Sequence, residues 1–376
     1  MKCLINARII LPDRILDDHA IIFNETIRAI VPQAGLDLSG HDVINAQGLY
    51  AAPGLVDLHI HGYLGHDVCD ANPEGLRAIA AGIAKNGVTA WCPTTMTIAK
   101  EDIQHAFHAV RAVKAGNAPG ARILGIHCEG PFISPAKKGA QAASHILQPD
   151  SEFLLQNADI LKLVTIAPEM DPDFACIRAL SADGRILVSM GHSNADFETA
   201  SAAVQAGVRH TTHLFNAMST LNHRQPGVAG AALTSQEVSC ELIADCFHVH
   251  PGMFPLGASL KPGKLCLITD CMRAGGMADG TYTLGGQTVI KKGIACLLED
   301  GVIAGSVLTL NKAVKNLFDH TSLTLPQAIA CASLNPAAAI GEDHRIGSLE
   351  VGKQADIILC DENLQVFKTV IEGKGV

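Results

Sequence analysis

Asp57, His59 and His61 stand at alternate positions in the apolar run PGLVDLHIHG, residues 53–62. Successive side chains of a strand point to opposite faces. The three polar residues therefore share one face, and Val56, Leu58 and Ile60 share the other. Two adjacent imidazoles on a buried face need a partner, and a metal ion is the obvious one. A His-x-His pair alone is equally compatible with a hydrogen-bonded core pair. Repetition of the pattern decides between them. His127 and Glu129, His192, His213, Asp245 and His248, and Asp270 each fall near the C-terminal end of another apolar segment. Any one of these could cap a helix or satisfy a loop amide. Their recurrence at equivalent ends of many strands is what a metal site predicts and what isolated caps do not.

Imidazole and carboxylate ligands suit Zn, Fe, Mn or a similar divalent ion. His59, His61, Glu129, His192, His213 and Asp270 suffice for two ions bridged by Glu129, and equally for one ion with an open position. A metal-activated water is a strong nucleophile near neutral pH. Asp270 is placed to take its proton and return it to a leaving amine. The residues alone thus point to metal-assisted hydrolysis of an amide-like or ester-like bond.

The elements that must position these residues are strands alternating with helices from residue 51 onward. Strand candidates lie at 54–62, 88–95, 122–130, 160–169, 185–193, 209–215, 240–249 and 264–272. Amphipathic helical segments are clearest at 73–87, 101–116 and 195–207. Eight such strands match a (β/α)8 TIM-like barrel, whose active sites lie at the C-terminal mouth. Residues 281–308 read as an inserted β-hairpin region and 323–341 as closing helices. The first fifty residues and the last thirty read as short strands and turns. The expected organisation is a small β-sandwich module from 1–50 plus 345–376 around a catalytic barrel at 51–344. The Gly-rich stretch 273–286 lacks GxGxxG and P-loop spacing, and reads as turns or a mobile loop.

A chain of 376 residues can bury a large core. The net charge of −9 and the absence of Lys/Arg runs argue against a nucleic-acid partner. Twelve Cys occur without CxxC spacing. Those in apolar runs (Cys266, Cys296, Cys360) read as small buried hydrophobes. With no signal-peptide pattern and no apolar window of membrane length, a reducing cytoplasmic setting is expected. Cys128, next to Glu129, reads either as packing or as a thiol whose oxidation would affect the site. His66, His145, His320 and His344 read as surface or satisfied residues.

The stretches GLVDLHIHG, GIHCEGPF, KKGAQ, GHSNA, THLFNAM, IADCFHVHP, LITDCM and IAGSVLTL together resemble the amidohydrolase superfamily. Within it, HCEGPF and THLFNAM resemble the deacetylases of 6-phosphorylated N-acetylhexosamines. The resemblance implies release of acetate from such a sugar, in amino-sugar catabolism or cell-wall recycling, with the gluco epimer as substrate. It implies that Glu129, His192 and His213 hold the principal metal and that His59 and His61 hold a second. Asp270 matches the general acid/base. Asn216 and Ala217 match substrate contacts, as does Gln141, where members carry His or Gln. Arg224 and His248 match sugar-phosphate contacts, one of which would cross a homodimer interface. Ile303, Ala304 and Gly305 match a substrate-contacting loop. Many superfamily members bridge their metals with a Lys at the end of strand four. Lys162 lies too early in its strand for that, and Glu129 takes the bridging place. The rival readings are the galacto epimer as substrate, a cyclic-amide hydrolase, and a scaffold that has lost the chemistry. The missing strand-four Lys disfavours the second, and the complete ligand set disfavours the third.

Overall fold

A computed structural model describes residues 1–116 and 119–375. Eight parallel strands run in chain order: β1 (Leu55–Ile60), β2 (Val88–Thr95), β3 (Ile126–Glu129), β4 (Leu161–Ile166), β5 (Leu187–Met190), β6 (His210–Thr211), β7 (Ser239–Ile243) and β8 (Leu265–Ile268). Each pairs with the next. β1 and β2 are buried along their whole length, as strands covered on both faces must be. The expected (β/α)8 barrel is therefore present as a nearly closed sheet.

Asp57 joins β1 to β8. Its Oδ2 accepts from Thr269 Oγ1 at 2.6 Å, and its Oδ1 accepts from the Thr269 and His59 backbone N–H groups, each at 3.3 Å. Asp270 N–H then donates to His59 O at 2.9 Å. Side-chain acceptors replace ladder bonds where first and last strand meet. Burial pushes the Asp57 carboxyl up to about 7 against these donors.

The expected strand 122–130 is broken into Arg122–Ile123 and β3. Leu124 N–H still bonds Trp91 O on β2, whereas Ile126 N–H bonds Ile160 O beside β4. The chain changes partners at Gly125, where a Cβ would strike the Lys162 side chain and the Ile160 carbonyl. Helices Pro73–Ala84 and Phe197–Ala206 are capped by the side chains of Asn72 and Asp196.

Strands from both ends of the chain form a second sheet. Tyr50–Pro53 runs between Lys2–Ile10 and Ile357–Cys360, with its own apolar cluster around Leu4, Ile21, Phe23 and Ile357. The insertion is a three-stranded antiparallel sheet, Gly280–Leu284, Gln287–Lys292 and Ala295–Leu298. Its first strand lies in the Gly-rich stretch read above as turns or loop. Tyr282 and Leu284 are the reason, since they pack into a cluster with Met96, Met272 and Val289. Among the described residues, no helix is long and apolar enough to cross a membrane.

Candidate active site

The C-terminal ends of the barrel strands open into a cavity of about 270 Å³. His61, Glu129, His192, His213 and Asp270 line it, with His59 fully buried just below. His192 (φ 47°), His213 (φ 29°) and Asp270 (φ 49°) all lie in the left-handed region. That backbone costs a non-glycine residue about 1–3 kcal/mol and clusters at functional sites. Here it turns each side chain from its strand end into the mouth. It also explains why β6 stops after two residues where the apolar pattern predicts 209–215.

Glu129 is the centre of the group. Its Oε1 lies 2.9 Å from His213 Nε2, 3.1 Å from His192 Nε2 and 3.4 Å from His59 Nε2. Its Oε2 lies 3.3 Å from His61 Nε2. Asp270 Oδ1 lies 3.1 Å from His61 Nε2 and 3.5 Å from His59 Nε2. Two ligand sets share Glu129: one with His192 and His213, the other with His59 and His61.

The imidazole tautomers test whether a cation fits. His192 Nδ1 faces Lys137 O at 2.9 Å, His213 Nδ1 faces Asn216 O at 3.2 Å, and His61 Nδ1 faces Thr94 O at 3.2 Å. A carbonyl only accepts, so each Nδ1 carries a proton, and each ring in its neutral form turns a lone pair on Nε2 inward. Yet His192 Nε2 and His213 Nε2 are 3.0 Å apart, and His59 Nε2 and His61 Nε2 are 3.2 Å apart. Neutral rings cannot hydrogen bond in this arrangement. A divalent cation held by the lone pairs resolves both contacts, and the donor set suits one.

The charges agree. Burial opposes ionisation of Glu129, and the surrounding imidazoles of His59 and His192 overcome it, holding the carboxyl well below its ordinary value. Burial likewise opposes a charge on His61, but Asp270 and Glu129 push it up to about 9. The pocket thus attracts positive charge, whether protons or a metal ion.

Of the other predicted residues, Gln141, Asn216, Ala217, His248, Ile303 and Gly305 line the cavity. Gln141 is held there by two hydrogen bonds: Oε1 accepts from Thr97 N–H at 2.7 Å, and Nε2 donates to Glu129 Oε2 at 2.6 Å. His248 Nδ1 is bound to Asp245 Oδ2 at 2.6 Å, which leaves Nε2 free for the cavity. Burial disfavours a charge on His248, but Asp245 outweighs it and raises its pKa. Ala304 is buried with the inserted sheet and does not line the cavity. Arg224 does not line it either and lies in the exposed stretch 220–225.

His127, grouped with Glu129 in the sequence, sits deeper. Its ring bonds Leu58 O at 3.1 Å and Thr165 Oγ1 at 2.8 Å. Burial and the neighbouring His59 push its pKa down to about 3, so it is neutral. Cys128 is buried, with its thiol pushed up to about 12 by burial and its Sγ 2.9 Å from Gly130 O. That environment is one of packing. Glu241, which is not among the strand-end residues of the sequence pattern, is fully buried on β7 and touches His59, His210 and His213. Its signal was available: Glu241, Ile243 and Asp245 share one face at period two.

Comparison with known proteins follows the same lines. The model of the "Amidohydrolase family" matches residues 50–376. An N-acetylglucosamine-6-phosphate deacetylase of Bacillus subtilis (strain 168) is 40% identical over 329 residues, 85% of this chain and 83% of the relative. An N-acetylgalactosamine-6-phosphate deacetylase of Escherichia coli O157:H7 is 35% identical over 363 residues, 96% of this chain and 95% of the relative. The crystal structure of an N-acetylglucosamine-6-phosphate deacetylase from Pasteurella multocida superposes with a TM-score of 0.94 at 31% identity, covering 100% and 99% of the two chains.

Proposed function

The chain belongs to the amidohydrolase family, and on that basis we propose that it hydrolyses the N-acetyl group of N-acetyl-D-glucosamine 6-phosphate to acetate and D-glucosamine 6-phosphate. The observation that carries this is the convergence of four imidazole Nε2 atoms on Glu129 and Asp270 at the floor of one cavity. The names of the relatives supply the substrate class, and those from Bacillus subtilis, Lysinibacillus sphaericus, Vibrio furnissii and Bos taurus carry the gluco name.

Glu129, His192 and His213 would hold the principal divalent ion, of the Zn, Fe or Mn type. His59, His61 and Glu129 would hold a second. Such an ion polarises the acetyl carbonyl and lowers the pKa of water. Asp270 Oδ1 takes the proton of the attacking water as its oxygen adds to the acetyl carbon. The same proton passes to the sugar nitrogen as the C–N bond breaks, so acetate and the free amine leave together. Asn216, Ala217, Ile303 and Gly305 form walls that orient the sugar, and Ala304 shapes its loop from behind. Gln141 orients Glu129 and faces the sugar.

The phosphate needs cations. His248, held by Asp245, is one. Arg224 is the other, and a guanidinium binds phosphate in bidentate fashion. Because Arg224 lies outside its own cavity, we assign it to the phosphate of a partner's site in a homodimer. A cytoplasmic enzyme of amino-sugar catabolism, built from a β-module (1–50 and 345–376) and a barrel (51–344), completes this reading. The net charge of −9 accords with a small-molecule partner and no nucleic acid.

The galacto epimer is the second reading, favoured by the relative from Escherichia coli O157:H7. Acetate release from both epimers, each with and without the 6-phosphate, separates them. The phosphorylated gluco sugar is expected to give the highest kcat/KM. A galacto preference would replace the substrate. Equal rates without phosphate would remove the roles of Arg224 and His248.

A further inference from the structure

The deacetylation scheme leaves one charged group beneath the metal ligands without a task. Glu241 is fully buried. Its Oε2 accepts from His59 Nδ1–H and from the His213 backbone N–H, each at 3.0 Å. Its Oε1 accepts from His210 Nε2–H at 3.2 Å. Among the described residues its charge partners are imidazoles only: His59, His210 and, at 4.0 Å, His127. A carboxylate buried with imidazoles as its only charge partners is costly. A structural core site would be better served by an apolar residue.

The three acceptor contacts show what the carboxylate does. Holding the proton on His59 Nδ1 leaves the lone pair on Nε2, which faces His61, Glu129 and Asp270. Binding the His213 N–H pins a residue whose backbone sits in the left-handed region at φ 29°. One carboxylate thus sets a ligand of each half of the centre. We propose that Glu241 is a positioning residue for the metal centre, coupling the His59/His61 half to the His192/His213 half. This rests on the metal-centre reading above. Carboxylates that orient ligating imidazoles change metal affinity when they are replaced.

Two variants test it. In Glu241→Gln, the amide oxygen can still accept from His59 and His213 while its NH2 group turns to His210. That ring can exchange tautomers, because its buried Nδ1 has no partner. The Gln variant therefore keeps the shape and loses the charge, whereas Glu241→Ala loses both. Metal affinity is read by competition with a chelator, and melting temperature with and without bound metal. Affinity is expected to weaken about 10-fold in the Gln variant and about 100-fold in the Ala variant. The rise in melting temperature on loading should shrink in step. Should the Ala variant not fold, the Gln variant decides. Metal affinity within about twofold of wild type, with loaded and stripped melts lowered equally, would overturn the proposal and leave Glu241 a packing residue. A wild-type protein that binds no metal would instead overturn the metal centre itself.

Discussion

Asp270→Asn is expected to lower kcat by about 10²–10⁴-fold, the usual contribution of a positioned general acid/base, while metal content stays near wild type. The side chain keeps its volume, and Asn keeps an oxygen at the Oδ1 position beside His61. What it loses is the ability to carry a proton. Burial works against ionisation of Asp270, but His61 and His59 outweigh it, so its carboxyl lies below the ordinary value. It is therefore the base form at neutral pH, ready to receive a proton. Glu129, His192 and His213 do not depend on it for their mutual geometry. A variant with wild-type kcat would remove Asp270 from the proton path. A variant that lost its metal with its activity would make Asp270 a ligand above all.

Glu129→Gln is expected to have the largest effect of any single change. Both ligand sets share this carboxylate. The substitution removes the anion common to both and places an NH2 group among acceptors. If that group faces His192 and His213, it donates to their Nε2 lone pairs and occupies the place of the ion. If it faces the other way, it meets the Nε2 amide of Gln141, which donates to Glu129 in the wild type. The first arrangement replaces metal coordination with internal hydrogen bonds and keeps the fold satisfied, whereas the second sets two donors against each other. Metal per chain should fall below about a tenth of wild type, and acetate release by about 10⁴-fold, or ~5 kcal/mol of transition-state stabilisation. Full metal content with near-wild-type rate would refute the bridging role.

The sequence carried much of this site because the chemistry is concentrated in residue types. Polar ends on apolar strands are visible without coordinates, and period two sorted Asp57, His59 and His61 correctly. Position along the barrel axis is not visible in that way. His127 and Glu129 are two residues apart and share a face, yet only Glu129 reaches the mouth, while His127 bonds Leu58 O and Thr165 below. Glu241 looks like one more polar residue in the run CELIADC. Its meaning comes from His59 and His213, which belong to β1 and the end of β6. Strand ends were over-extended where left-handed residues turn the chain, as at His192 and His213. The inserted sheet was legible as strands, but its contribution of Leu284 to the cavity wall depends on packing against Met96 and Met272.

The central claim is that acetate release depends on an ion held by Glu129 and the converging histidines. Stripping the wild-type protein with a chelator and restoring one divalent ion in steps tests it most directly, with bound metal and acetate from N-acetyl-D-glucosamine 6-phosphate measured on the same samples. Activity is expected to fall to background on stripping and to rise in proportion to metal bound, levelling off at one or two ions per chain. Undiminished acetate release from protein that holds no metal would contradict the account.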